Sequence, residues 1–193
     1  MYDLPTSVKL GNQEFPIRNN GDFRVILDCL MALNDRELTK DERIYASLII
    51  FYDGINSLED LTIKIPNLLE SYQGMVRFFN CGQAEVDTPQ NHYNLIDWDK
   101  DCNLVCSAIN KVAGTEIRAL PYLHWWTFMG YYMAIGESAL SHIVGIRYKV
   151  ARNQKLEKHE RKFMVENPQY FKVNPKDIEQ QEIDEIITGM WNA

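Results

Sequence analysis

Two thiols stand four residues apart at Cys102 and Cys106. On a helix that spacing turns both sulfurs the same way. Structural zinc pairs cysteines two to four apart on a knuckle and takes a second ligand pair from elsewhere. His92 or His124 would have to complete such a site, and two core thiols are the expected reading. Asp97, Asp99 and Asp101 alternate as at the start of a calcium loop. Trp98, Lys100 and Cys102 fill the alternate positions, however, and no glycine follows at the sixth, so calcium is not expected. His124 directly precedes Trp125-Trp126, with no nucleophile or paired acid placed near it by sequence. It is expected to hydrogen-bond a neighbouring helix end rather than act as a general base. Lys149, Arg152, Lys155, Lys158, Arg161 and Lys162 form a basic run, but Glu157 and Glu160 interrupt it, which marks a solvated face more than an RNA site. The chain contains no G-x-S-x-G elbow, Walker loop, H-E-x-x-H or G-x-G-x-x-G. The expectation is a non-enzyme with no catalytic, cofactor-binding or metal-binding residue.

The elements that would hold these side chains are mostly helices, and the strongest is centred on 121–135. Pro121 suits the first turn of a helix. After it, Leu123, Trp126, Phe128, Tyr131, Met133 and Ile135 spread apolar surface around most of the circumference, which belongs inside a bundle. Trp126 is expected to be buried, its truncation to alanine costing about 3–5 kcal/mol. Gly130 and Gly136 are expected to let neighbouring helices approach closely, and Gly136 to break the helix before 137–150 restart it.

Upstream, Val8-Lys9-Leu10 and Phe15-Pro16-Ile17 flank a turn-rich Gly11-Asn12-Gln13-Glu14, predicting a hairpin in which Pro16 keeps its strand at an edge. Asn19-Asn20-Gly21-Asp22 supplies caps for a helix with Phe23, Ile26, Leu27, Leu30, Met31 and Leu33 on one face, ended by Asn34-Asp35. Thr39-Lys40-Asp41-Glu42 is a capping box opening a helix that buries Ile44, Tyr45, Leu48, Ile49 and Tyr52. A helical stretch from Ser57 is interrupted at Pro66. It resumes through Leu68, Leu69, Tyr72, Met75, Val76 and Phe79, and ends at Cys81-Gly82. Residues 83–94 read as exposed loop. Asp97 reads as the cap of a helix over 98–112, with Gly114 past its end.

From Lys149 the charges predict one exposed helix through Lys162, then breaks at Asn167-Pro168 and Asn174-Pro175. A short acidic amphipathic segment follows over 178–190 (Ile183, Ile186, Ile187, Met190, then Trp191), suited to docking on the body or on another copy. The expected fold is mainly α, a helical bundle of about six to eight helices with a short N-terminal β-hairpin. The expected division is a helical core domain over 1–150 and a charged helical extension over 151–193.

At 193 residues, 46% hydrophobic and 24% charged, the chain is long enough for one well-packed domain. Its net charge of −7 argues against general nucleic-acid binding, which needs a basic face to displace counterions. The same charge suits a soluble protein holding a basic or amphipathic partner. Cys29, Cys81, Cys102 and Cys106 each lie among apolar neighbours and read as reduced thiols. No basic-then-apolar leader opens the chain and no apolar run approaches a membrane span, so cytoplasm is the expected compartment and no membrane contact is expected.

Several stretches together carry a resemblance: Leu4-Pro5 before the strand pair, Phe15-Pro16-Ile17 leading into Gly21-Asp22-Phe23-Arg24, Leu48-Ile49-Ile50-Phe51-Tyr52, Phe78-Phe79-Asn80-Cys81-Gly82, Asp97-Trp98-Asp99-Lys100-Asp101, Leu123-His124-Trp125-Trp126-Thr127-Phe128, and Ile146-Arg147-Tyr148. Over roughly residues 1–171 the chain resembles a tail-assembly protein family of tailed bacteriophages. The most specific mark is the His-Trp-Trp core in company with the Phe-Phe-x-Cys-Gly corner. The resemblance implies a tail assembly chaperone of long-tailed phages infecting Gram-positive hosts and their relatives, encoded near the tape-measure gene. Such a protein is non-enzymatic. It coats the amphipathic tape-measure protein until tail-tube subunits, the major tail protein, polymerise around it. It would work in host cytoplasm and be missing from the mature virion; a structural tail or connector protein of the virion is the alternative. Residues beyond about 172 depart from the resembling part.

A holdase for such a client needs grooves that accept an amphipathic helix, and aromatics and methionines suit adaptable surfaces. Tyr131, Tyr132 and Met133 on the aromatic helix, with Phe163 and Met164 on the late helix, are the candidate protein contacts. Many copies along one client imply self-association.

Overall fold

The computed structural model describes residues 3–35, 37–83 and 95–171. Among them are eight α-helices and one antiparallel two-stranded hairpin, the mainly α architecture that the periodicity predicts. The chain forms two compact units, Met1–Asp87 with Ile109–Ala134, and Thr88–Ala108 with Ile135–Ala193. The readings that fall on residues 84–94 and 172–193 (most of the exposed loop, His92, Asn174-Pro175 and the 178–190 segment) lie outside the described residues.

In the first unit, β1 (Ser7–Leu10) and β2 (Gln13–Pro16) pair with Leu10 opposite Gln13. The turn is therefore two residues rather than four, because Gly11 takes a left-handed φ of 57° that reverses the chain at once. Pro16 ends its strand, where the missing N–H costs no central ladder bond. The hairpin rests on α4 (Leu68–Phe79): the Gly11 amide donates to Glu70 Oε1 at 2.6 Å. A Cβ at Gly74 would lie 2.5 Å from Val8 Cγ1, so this glycine lets strand and helix close up.

Asn19, Asn20 and Gly21 all adopt positive φ, and Asn and Gly are the residue types that tolerate it. The turn delivers Arg18 to the C-terminal end of α2 (Lys40–Phe51). There its guanidinium donates to the carbonyls of Ile49, Ile50, Tyr52 and Ile55. A helix end leaves carbonyls without intrahelical donors and carries partial negative charge, so an arginine there is doubly favoured. The Thr39–Glu42 capping box opens α2 as predicted.

The inward face of α2 is not the predicted one. Leu48 and Tyr52 are buried, but Arg43, Ser47 and Phe51 join them while Ile44, Tyr45 and Ile49 are only half-covered. The reason lies opposite, on α1 (Phe23–Leu33), where Ser47 Oγ donates to Cys29 O at 2.9 Å and the Cys29 thiol points back to Ser47 O at 3.6 Å. Two small, mutually satisfied polar residues let the helices meet more closely than bulky aliphatics would allow. In α4 the buried residues are Ser71, Met75 and Phe78, whereas Leu68 and Leu69, which share the same apolar spacing, are exposed.

The aromatic helix, α6, runs Trp125–Met133 and starts four residues later than Pro121 predicts. His124 is its cap: Nδ1 accepts the Trp126 amide at 3.0 Å. With Nδ1 accepting, the ring proton sits on Nε2, which donates to Pro5 O at 2.9 Å. Asp22 ties this start to α1. Its Oδ1 accepts the Arg24 amide, its Oδ2 accepts the Leu123 amide, and Phe23 N–H donates to Leu123 O. Both indoles then reach the end of α4: Trp125 Nε1 donates to Phe79 O and Trp126 Nε1 to Phe78 O, each at 2.9 Å.

Trp125, not Trp126, is the deeply buried ring, at 2% exposure; it stacks on Phe128, which stacks in turn on Phe23. Trp126 is half-buried, lying against Phe78 and over Gly82. Gly21 is fixed by this packing, since a Cβ would come 2.6 Å from Phe78 Cζ. Gly130 and Gly136 have nothing within 4 Å of a built Cβ among the described residues, so the predicted close approaches there do not occur. At the end of α6, Met133 is 77% exposed, which corrects the picture of a helix covered all round.

The second unit contains α7 (Ala139–Ala151) and α8 (Lys158–Glu166), together with residues 102–108 of α5 (Cys102–Ala113). α5 begins at 102 rather than 98 because the acidic residues before it make a turn instead. Asp101 Oδ2 accepts the Asp97 amide, and Asp97 Oδ1 the Lys100 amide. Asp101 is 1% exposed and forms a fork with the Arg147 guanidinium, which also donates to Leu95 O and Tyr170 O. The predicted single helix from 149 to 162 is two helices separated at 152–157, where Asn153 has φ 52° and Glu157 with Glu160 forms a fresh cap. Lys149 Nζ reaches Glu160 Oε1 at 2.6 Å and joins α7 to α8.

Three measurements check this account. Trp125→Ala is expected to lower stability by about 3–5 kcal/mol in urea melts, as for a buried large aromatic; a loss below about 1 kcal/mol would remove the ring from the core. Gly74→Ala gains about 1 kcal/mol of helix propensity but forces a stiff Val8 methyl aside, costing about 1–3 kcal/mol. The variant should be destabilised and regain stability when Val8→Ala is added. Burial, only partly offset by the Pro5 carbonyl, holds the His124 imidazole below its ordinary range. The folded state therefore disfavours the proton. The contribution is complete above the unfolded value of about 6.5 and is lost as pH falls through the folded one. Urea midpoints should fall on acidification from about pH 7 to 5, and less steeply in His124→Asn; equal slopes would refute the assignment.

Candidate interaction surface

Several of the groups that sequence marks for chemistry are engaged in holding the fold. His124 has both ring nitrogens committed. Cys102 and Cys106 lie with sulfurs 3.9 Å apart, the first half-buried and the second buried, both as free thiols. Burial, with Asp28 adding to it, raises the Cys29 thiol far above its ordinary range, and burial alone raises Cys81. Asp97 pairs with Lys100 at 2.7 Å, while Asp101 belongs to the Arg147 fork. Along the basic run, the Lys149 hydrogen bond, followed by that of the Glu157 amide, holds the Glu160 carboxyl below its usual range. Among the described residues, no three or more His, Cys, Asp and Glu side chains are grouped to hold a metal ion. No described helix is long and apolar enough to cross a membrane.

The five residues singled out as protein contacts fall in both units. Tyr131, Tyr132 and Met133 occupy the last turn of α6 in the first, the tyrosines half-covered and Met133 open. Phe163 and Met164 are half-covered on α8 in the second. Phe163 is partly occupied already, its ring set edge-on to His142 at 4.8 Å and to Phe171 at 6.0 Å.

Four larger aliphatics that sequence reasoning did not assign to a surface stand outward in the first unit. α3 (Leu58–Lys64) is capped by Ser57 Oγ, which accepts the Asp60 amide at 3.1 Å. It buries Leu61 and, just after its end, Ile65, while Leu58 is 53% and Ile63 73% exposed. Ile63 stands two residues from Leu61, about 200° around a helix, so one of them must face out when the other faces in. Asn67 then caps α4, whose inner line of Ser71, Met75 and Phe78 leaves Leu68 and Leu69 outside at 39% and 43%. The signal was present in the sequence: a seven-residue helix with apolar side chains on opposite sides cannot bury both. An Asp60–Lys64 ion pair at 2.6 Å lies on the same helix. Outward aliphatics among polar groups are what the apolar face of a partner helix requires.

No curated protein and no solved structure matches the chain. The family described as Bacteriophage Gp15 protein matches residues 1–173, a span that includes the Trp125-Trp126 pair, the end of α4 that it closes and the outward α3–α4 residues. The chain thus belongs to the bacteriophage Gp15 protein family.

Proposed function

We propose that this phage protein is a non-catalytic tail assembly chaperone that binds the tape-measure protein and helps recruit major tail protein subunits during tail morphogenesis. It would act in host cytoplasm, in several copies along one client, and leave before the virion is complete. Membership in a phage family is the background to this reading. The observation that carries it is the outward set Leu58, Ile63, Leu68 and Leu69 on two consecutive helices. A tape-measure protein presents long amphipathic helices, and exposed aliphatics offer their buried side a temporary partner. Met133 adds a flexible thioether that adapts to varied side chains. The structural duties of His124, Asp101 and Cys29 also favour a protein that acts by contact. The net charge of −7 keeps a protein with exposed aliphatics soluble.

The test pairs binding with folding. Wild-type protein at about micromolar concentration should bind helical tape-measure fragments and suppress their aggregation. Ile63→Glu with Leu68→Glu should weaken that binding at least about tenfold while altering stability by less than about 1 kcal/mol. A wild-type protein that neither binds such fragments nor keeps them soluble would defeat the proposal. Detection of the protein by mass spectrometry at structural stoichiometry in purified particles would favour a virion component instead.

A further inference from the structure

Cys102 and Cys106 are the first and fifth residues of α5, so their side chains stand on one face of the helix, a turn apart. Their sulfurs are 3.9 Å from each other. Residues so spaced on a helix have Cβ atoms about 5–6 Å apart, whereas a disulfide needs about 3.5–4.5 Å. The two sulfurs therefore cannot bond to each other unless the first turn of α5 opens. The helix keeps them a reduced pair, near enough to share a third atom between them.

The separation says what that atom is. At a metal–sulfur length of about 2.3 Å, sulfurs 3.9 Å apart subtend about 116° at a common ion. That angle lies between the tetrahedral and trigonal values and well short of a linear arrangement. Thiolate is a soft donor that selects copper(I), zinc and iron–sulfur clusters over hard cations. Structural zinc and iron–sulfur clusters take four protein ligands. Among the described residues no third His, Cys, Asp or Glu is grouped with the pair, and the nearby carboxylates of Asp97 and Asp101 hold Lys100 and Arg147. Copper(I), served by two or three soft donors, fits a pair. Cys102 is half-buried and Cys106 buried, so an ion enters past Cys102 and is then held largely out of water.

We propose that Cys102 and Cys106 form a bis-thiolate site for one copper(I) ion per chain, with the third position taken by a small exogenous thiol or by water. Binding replaces two S–H bonds with two S–Cu bonds and releases two protons to solvent, with no electron transfer. Because both sulfurs must be deprotonated, affinity rises with pH. The ion acts as a clip between the first two turns of α5.

Anaerobic titration of the reduced full-length protein with copper(I), buffered by a coloured chelator, tests the site. One ion should bind per chain, with a dissociation constant below about 1 μM. X-ray absorption of the loaded protein should show two or three sulfurs at about 2.3 Å from copper. Cys102→Ser and Cys106→Ala should each weaken binding at least about hundredfold, while Cys29→Ala and Cys81→Ser leave it within about twofold. An unchanged circular dichroism spectrum in the first two variants separates a lost ligand from a lost fold, and the half-buried position of Cys102 makes its variant the safer of the two. Affinity indifferent to Cys102→Ser would overturn the proposal. So would one ion bound per two chains, or zinc held as tightly as copper(I).

Discussion

Two indole N–H groups close the end of α4, and most of the first unit is arranged so that they can. A helix terminus leaves carbonyls without donors, and in an apolar interior no water replaces them. Trp125 and Trp126 meet the need at Phe79 O and Phe78 O while supplying the ring area that fills the space beside them. Tryptophan alone combines so large an apolar body with one obligatory donor. The two donors point correctly only if α6 starts at Trp125, and His124 fixes that start by capping with Nδ1 and anchoring to Pro5 with Nε2. Asp22 fixes the residue before it through the Leu123 amide. Gly21 is then small because Phe78 and the His124 ring occupy the space where its Cβ would lie.

The second unit solves a similar problem with charge. Arg147 carries its guanidinium to the buried Asp101 carboxylate and spends its remaining donors on the carbonyls of Leu95 and Tyr170. A buried ion pair is tolerable when each partner is also hydrogen-bonded, as here, and strongly destabilising when one is removed. The alternating aspartates are thus divided by role: Asp101 is an internal anchor, and Asp97 organises the turn that delays α5. His124, Asp97 and Asp101 are thus spent on capping, turning and joining elements.

The same economy leaves surfaces unspent. α3 has seven residues, too few to wrap an apolar stripe around a partner twice, and its inner line needs only Leu61. Leu58 and Ile63 therefore remain outside, and the first turn of α4 adds Leu68 and Leu69.

Sequence by itself determined the hairpin, the α1 bounds, the Thr39–Glu42 capping box, the breaks at Pro66 and Gly114, and the mainly α class. These depend on local physics, namely 3.6-residue periodicity, cap chemistry and the φ preferences of Gly, Asn and Pro. The two most specific stretches, His124-Trp125-Trp126 and Phe78-Phe79-Asn80-Cys81-Gly82, were also legible, but only as separate marks. Tertiary structure decided that they are two halves of one contact, and with it which tryptophan is buried, because an indole finds its acceptor only when a distant helix end is brought to it. It also decided which side of α2 and α4 faces inward, since a Ser47–Cys29 hydrogen-bond exchange and a Gly74–Val8 approach outrank side-chain hydrophobicity in choosing a close-packed face. For the same reason the outward aliphatics of α3 and α4 were passed over: burial is a property of neighbours, and a period along the chain does not name them.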